Sequence, residues 1–383
     1  MALHFDRGEY ADRMNRLKTA LDERGLDGIL LFAQESMYWL TGYDTFGFCF
    51  FQCLYVGGDG TLALLTRSPD LRQARHTSII EDIRVWTDER GARPEIQLRE
   101  MLDSLGAKGK KLGIEYNSYG LTAYYGKAVD AAFADFCELV DASGLVDALR
   151  AVKSEAELAY VRRAGELADA AYDAAVELTR AGADEGDILA AMHSAIFSGG
   201  GDYPGNEFII GSGEDALLVR YKAGRRKLSA NDQLTLEWAG VYRHYHAAMM
   251  QTFVIGDVPR QQIEMHDICR EALAACEEQL RPGRTAGDVF EAYAKTADDA
   301  GYQAHRLNAC GYSLGAKFTP SWMDWPMFYR GNDAVIQPGM VLFAHMVLLN
   351  SDAGYGMTLG RSYIITEDGP ESLSRTPLDM VRK

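Results

Sequence analysis

The sequence predicts an α+β protein in two parts. Three observations predict it. Helical and strand-like signals alternate over residues 1–148; a capping signal at 154–157 then opens a long helix; and the last eighty or so residues carry strand and loop patterns with no helical period. At 383 residues and 47% hydrophobic content the chain can bury a large core.

The elements follow in order. Tyr10, Met14, Leu17 and Leu21 recur at helical spacing, and Gly25 supplies a stop. D-G-I-L-L-F is a short buried strand. C-F-F-Q-C-L-Y-V and T-L-A-L-L-T form a hairpin about the turn G-G-D-G. I-R-V-W and K-L-G-I-E add further strands. Ser154 with Glu157 is a capping box, and Leu158, Val161, Ala164, Ala168, Tyr172, Ala175 and Leu178 form the buried stripe of the helix it opens. A second helix is expected over 185–197, with the Gly-rich loop S-G-G-G-D-Y-P-G after it. Two more follow over 260–281 and 286–300, the latter capped by Thr285 and Asp288. M-V-L-F-A-H-M-V-L-L and R-S-Y-I-I-T-E-D-G are strands. The two parts are residues 1–148 and 149–383.

Composition excludes several classes. A formal net charge of −16 is the opposite of a nucleic-acid footprint. No apolar run is long enough to span a bilayer, and the opening MALHFDRGEY lacks the apolar core of a secretion signal, so a cytoplasmic protein is expected. The six cysteines have no metal-like spacing and read as buried free thiols.

The stretch Leu234–Phe253 carries the most chemistry. Two alternating runs flank a turn expected at Gly240. Thr235, Glu237 and Ala239 share one face of the first, and His246, Ala248, Met250 and Thr252 share one face of the second. Glu237 is its one carboxylate.

Several phrases in this order resemble the creatinase/prolidase family: L-R-A-V-K-S-E-A-E-L-A-Y-V-R-R-A at 149–164, S-G-E-D-A at 212–216, R-K-L-S-A-N-D-Q-L-T-L-E at 226–237, R-P-G-R-T-A-G-D-V at 281–289, Q-P-G-M-V-L at 337–342 and I-I-T-E-D-G at 364–369. The resemblance implies a pita-bread catalytic domain preceded by a creatinase-like α/β domain. Metal-dependent members hold two divalent ions with two Asp, one His and two Glu. Carried over by motif, those five positions fall at Glu237, Ala248, Tyr312 (in G-Y-S-L-G), His345 and Gly360. Two have no donor atom, and a neutral phenol is a poor ligand, so no metal and no other cofactor is expected.

The family also contains metal-free members, creatinase and the ectoine hydrolases, and Y-W-L-T-G-Y-D at 38–44 and R-H-Y-H-A at 243–247 resemble the latter. There a glutamate at the position of Glu237 is thought to act covalently. The histidine used by these relatives falls at Arg220, a departure from their pattern.

The expected catalytic set is therefore Glu237 as nucleophile or general base, His345 and His246 as proton carriers, and Tyr312 as a hydrogen-bond donor to an oxyanion. His244 is a weaker candidate of the same kind. Arg220 and Arg361 suit a substrate carboxylate, or one of them neutralises Glu237. Trp39, Tyr43 and Trp322, with Trp325, Phe328 and Tyr329, form an aromatic set fit to box a cation, or simply fill core. In dimeric relatives the N-terminal domain covers the partner's site, which would place Trp39 and Tyr43 there in a homodimer. The activity expected is metal-independent hydrolysis of a C–N bond in a small zwitterion: an ectoine-like cyclic amidine, a guanidino acid or a small N-acyl amino acid. The alternatives are a metal-dependent Xaa-Pro dipeptidase and a non-catalytic binding module on the same scaffold.

Overall fold

A computed structural model describes residues 3–220 and 224–383. The chain divides into two compact units, Met1–Arg150 and Ala151–Lys383.

The first unit contains α1 (Arg7–Glu23), β1 (Gly28–Leu31), α2 (Gln34–Thr41), β2 (Cys53–Gly57), β3 (Leu62–Arg67), α3 (Leu71–Thr77), β4 (Asp82–Trp86), α4 (Pro94–Ser104), β5 (Lys111–Ile114), α5 (Ala123–Phe133) and β6 (Glu138–Asp141); α6 (Leu145–Ala151) follows in sequence. Six strands make one mixed sheet in the order β4-β3-β2-β1-β5-β6. Each helix starts and stops for local reasons. The Asp6 carboxylate accepts the Glu9 N–H at the start of α1, which buries Tyr10, Leu17 and Leu21 and ends before Gly25. The α2 helix has no capping side chain of its own. Glu115 supplies one from across the sheet, accepting the Phe32 and Ala33 N–H groups and the Ser36 hydroxyl at 2.7–2.9 Å.

The second unit contains α7 (Glu155–Leu178), α8 (Glu185–Ser198), β7 (Ile209–Ser212), β8 (Asp232–Tyr242), β9 (Tyr245–Ile255), α9 (Arg260–Gln279), α10 (Ala286–Asp299), β10 (Ala309–Ser313), β11 (Asp324–Tyr329), β12 (Val341–Asn350), β13 (Tyr355–Thr366), β14 (Gly369–Ser372) and β15 (Val381–Arg382). Its sheet of nine strands runs β11-β10-β12-β13-β9-β8-β7, with β14 on β13 and β15 on β9. Both capping boxes close reciprocally, at Ser154/Glu157 and Thr285/Asp288. The helices cover one face of the sheet. Trp238 donates its indole N–H to Ala168 O on α7, and Leu342, Ala344, Met346, Leu359 and Tyr363 join α9 and α10 in a common core.

Two expectations are corrected here. The hairpin turn is not at Gly240. It lies at Arg243–His244, both with positive φ (52° and 65°), the signature of a two-residue hairpin turn. Gly240 is instead inside β8, where a Cβ would stand 1.9 Å from Ala164 O of α7. Close helix–strand approach, not turning, demands that glycine. Nor are all six cysteines buried: Cys49 is exposed and Cys137 half-buried. The run C-F-F-Q-C-L-Y-V is strand only from Cys53, and its first residue, Cys49, ends a short 3₁₀ turn, Gly47–Cys49.

Candidate active site

Strand register assembles the site on the sheet face away from the helices. Glu237 pairs with Met250, Met250 with Gly360, Gly360 with His345, and Phe343, two residues before His345, with Tyr312. Because side chains alternate with period two, Glu237, Ala248, Met250, Gly360, His345, Phe343 and Tyr312 share one face across five adjacent strands. All five positions singled out by motif are thereby brought onto one surface.

The carboxylate at the centre is buried. Glu237 is 9% exposed, and loss of solvent raises its pKa to about 7, against the opposing pull of a Tyr312 hydrogen bond and the positive charge of Arg220. The Tyr312 hydroxyl donates to Glu237 Oε1 at 3.1 Å. It in turn accepts the indole N–H of Trp322 at 2.8 Å. Burial, then the neighbouring Glu237 charge, hold the Tyr312 phenol well above its ordinary value, so it is a neutral donor. Its proton is directed at Glu237 and not at open space. The expected role as donor to a substrate oxyanion is corrected in that sense.

His345 stands beside this pair, its ring 5.6 Å from that of Tyr312 and 5.4 Å from that of Phe343. Burial and the Arg220 charge lower its pKa to about 4, so it is a neutral imidazole near pH 7. Its Nδ1 is buried and finds no hydrogen-bond partner among the described residues. Arg220 is exposed, yet its charge reaches Glu237, Tyr312 and His345 alike.

Phe343 was not anticipated. Its ring lies where a side chain at position 360 would begin: a Cβ on Gly360 would meet Phe343 Cζ at 2.8 Å and Cε2 at 2.9 Å. The signal lay in a diagonal relation, a phenylalanine two residues before the His345 that faces Gly360 across two strands, and only the register makes it readable.

Four expected residues do not serve as expected. His246 is fully buried, with Nε2 accepting the Gly205 N–H at 2.9 Å and Nδ1 3.3 Å from Gly315 O. Burial drives its pKa to about 3. Both nitrogens are committed to backbone, so it carries no proton for catalysis. Arg361 follows Gly360 and so points to the helix side, where it donates to Thr376 O. Trp39 and Tyr43 are completely buried in the core of the first unit. Arg13 and Arg16 lie over the Trp39 ring, and the Tyr43 hydroxyl donates to Gln52 at 3.1 Å. A ring with no exposed surface cannot box a substrate.

Trp322 is also corrected: 1% exposed, it supports Tyr312 and presents no open face. Trp325 and Tyr329 are exposed on alternate positions of β11 while Phe328 is buried between them, so that set does not converge. His244, at the hairpin tip, stacks on Phe318 at 4.2 Å.

The residues present do not fit a two-metal cage. Ala248 and Gly360 supply no donor, and Tyr312 is a neutral phenol already engaged. Among the described residues no cluster of three or more His, Cys, Asp or Glu has the arrangement to hold an ion.

Comparison with known proteins agrees with this architecture. The family model described as metallopeptidase family M24 matches residues 159–367, and that of the creatinase/prolidase N-terminal domain matches residues 13–152. An ectoine hydrolase of Halomonas elongata is 26% identical, the match covering 100% of this chain and 99% of that protein. An Xaa-Pro dipeptidase of Pyrococcus furiosus is 22% identical over 97% of this chain and 99% of its own. Among solved structures, an Xaa-Pro dipeptidase from Bacillus anthracis superposes with a TM-score of 0.85 at 21% identity, covering 98% of this chain and 100% of that one. A prolidase from Thermococcus sibiricus gives 0.88 at 18% identity, with 98% and 99% covered. The fold is thus the two-domain pita-bread fold with a creatinase-like N-terminal domain. The chain belongs to metallopeptidase family M24, a family of hydrolases, and of the five positions singled out by motif its sheet face carries one carboxylate, Glu237, and one imidazole, His345.

Proposed function

We propose that this chain is a metal-independent hydrolase that opens a C–N bond in a small zwitterionic, ectoine-like metabolite. The observation that carries the reading is the buried Glu237 carboxylate, tied by Tyr312 and facing the Arg220 charge, on a surface where Ala248 and Gly360 offer no donor atom and Met250 and Phe343 beside them are apolar. The likeness in sequence to a protein named ectoine hydrolase supports the choice of substrate class.

A carboxylate with a pKa of about 7 is matched to proton transfer in both directions at neutral pH. Glu237 takes a proton from water as the oxygen bonds to the electrophilic carbon. The tetrahedral carbon then expels its nitrogen, which leaves with the proton Glu237 returns. One water is consumed, one C–O bond forms and one C–N bond breaks. Neutral His345 hydrogen-bonds to the reacting groups and does not compete as an acid. Arg220 holds the substrate carboxylate in a bidentate fork.

The test is turnover of ectoine, creatine, N-acetyl amino acids and Xaa-Pro dipeptides by the purified protein, with and without a chelator. The expected outcome is chelator-resistant hydrolysis of an amidine, guanidine or amide in the set, reduced at least about a thousandfold in Glu237→Gln. Hydrolysis of Xaa-Pro dipeptides alone, abolished by the chelator and restored by Mn²⁺, overturns the reading in favour of a dipeptidase. Ligands that raise the melting temperature with no turnover point to a binding module.

A further inference from the structure

The proposed function uses Glu237, His345 and Arg220, and leaves unexplained a buried polar chain behind them. Trp322 is 1% exposed, Tyr312 4% and His246 0%. An indole has one N–H and accepts nothing, so its hydrogen bond to the Tyr312 oxygen has a fixed direction. A phenol has one proton. With its oxygen already accepting from Trp322, that proton is left for Glu237 Oε1, 3.1 Å away.

The indole is itself held from behind. Its backbone N–H donates to Asn206 Oδ1 at 3.1 Å, and its rings meet Phe208 and His246 with centroids 6.4 and 6.3 Å away. Gly205, next to Asn206, donates its N–H to His246 Nε2 at 2.9 Å. His246 Nε2 can accept only in the tautomer with its proton on Nδ1, which lies 3.3 Å from the acceptor Gly315 O. Every donor in this chain therefore has one direction.

We infer that Trp322 is a positioning residue for the reaction: by donating to Tyr312 it commits the Tyr312 proton to Glu237 Oε1 and leaves Oε2 as the oxygen that faces substrate, with His246 and Asn206 fixing the loop that holds the indole. This inference rests on the catalytic role of Glu237 for its consequence, not for its geometry. Removing the indole N–H frees the phenol to rotate, and Glu237 loses a fixed orientation without losing its charge. Because Trp322 acts only through Tyr312, the two must behave as one unit.

The experiment combines NMR with kinetics on the full chain. The ¹⁵N–¹H signal of the Trp322 indole, assigned by its disappearance in Trp322→Phe, is expected to move upfield in Tyr312→Phe and to shift by a smaller amount in Glu237→Gln. An indole signal unmoved in Tyr312→Phe overturns the inference, whatever the turnover. With ectoine as substrate, Tyr312→Phe is expected to lower kcat about 10- to 100-fold and Trp322→Phe about 10-fold, with KM little changed. In the Tyr312→Phe background, Trp322→Phe should cost less than about twofold. Full multiplication of the two losses overturns the inference. Indole signals that behave as expected while Glu237→Gln still turns over ectoine leave the positioning chain standing and sink the proposed function instead. Tyr312→Phe keeps the indole and the ring in place, and the indole signal can instead be assigned in the parent protein from its nuclear Overhauser contacts to the Phe208 and His246 rings, so the NMR arm decides even if Trp322→Phe folds poorly.

Discussion

Glu237 sits under three competing influences, and their balance sets its chemistry. Burial favours the neutral acid, while the Tyr312 hydrogen bond and the Arg220 charge favour the anion, leaving a pKa of about 7. Tyr312→Phe removes one of the two interactions that lower it. The acid limb of kcat/KM, expected near pH 7 in the parent protein, should then move up by about one pH unit, the worth of one charge-assisted hydrogen bond. A pH–rate profile for the two proteins checks this. The same balance has a stability consequence. The folded-state pKa is raised above the ordinary 4.5, so the folded protein keeps a proton that the unfolded chain has lost between about pH 4.5 and 7. The stabilisation is complete below the lower value and is lost as pH rises through the higher one. Glu237→Gln cannot lose that proton and should flatten this part of the stability–pH curve, removing on the order of 2–3 kcal/mol of pH dependence measured by urea unfolding at pH 5 and pH 8.

At the scale of elements, strand register decides which substitutions are coupled. Gly360 and His345 are cross-strand partners, and Phe343 fills the space above the glycine. Gly360→Ala forces a Cβ into the Phe343 ring and should cost about 1–3 kcal/mol. Phe343→Ala opens that space at its own cost of about 3–5 kcal/mol. The double variant should be more stable than the sum of the single losses predicts, by a coupling of about 1 kcal/mol or more, read from denaturant midpoints. Strict additivity would mean that the two positions are independent. Register also explains what the motif reading could and could not foresee. The alternation around Glu237 put His246, Ala248, Met250 and Thr252 on one face, as the structure has them. The turn was misplaced because Gly240 is the obvious turn former in that stretch, whereas Arg243 rarely takes positive φ and His244, though more tolerant of it, takes it less readily than glycine. No local signal announces that a glycine is needed to admit a helix from another part of the chain.

For the whole molecule, the lost donor atoms lead to an expectation about folding energetics. In a protein that binds a metal pair, the ions stabilise the native state by mass action. Here Ala248, Gly360 and the engaged Tyr312 leave no cage among the described residues. Adding a chelator, or millimolar Mn²⁺, should therefore move the melting temperature by less than about 1 °C. A rise of several degrees with Mn²⁺ would contradict the donor-set argument. The two-unit organisation places strongly perturbed groups in both halves. Glu115, with its pKa also raised to about 7 by burial, sits in the first unit, where three hydrogen bonds to the start of α2 give it a structural role. A perturbed carboxylate is thus not by itself a site; the company of Tyr312, His345 and Arg220 distinguishes Glu237.

Residue order alone was enough for the fold class and the order of the main helices and strands, and the family resemblance it carries pointed to the five positions that meet on one sheet face. Periodicity, capping boxes and ordered motifs are local records of those features. Which groups on that face can act was decided only by tertiary structure. Hydrogen-bond commitment removed His246, strand alternation turned Arg361 to the helix side, and packing buried Trp39, Tyr43 and Trp322. Each of these depends on what a side chain meets from distant segments. A residue's type and spacing show what chemistry it offers, but solvent access and partners, set by the folded chain, determine whether it remains free to use it.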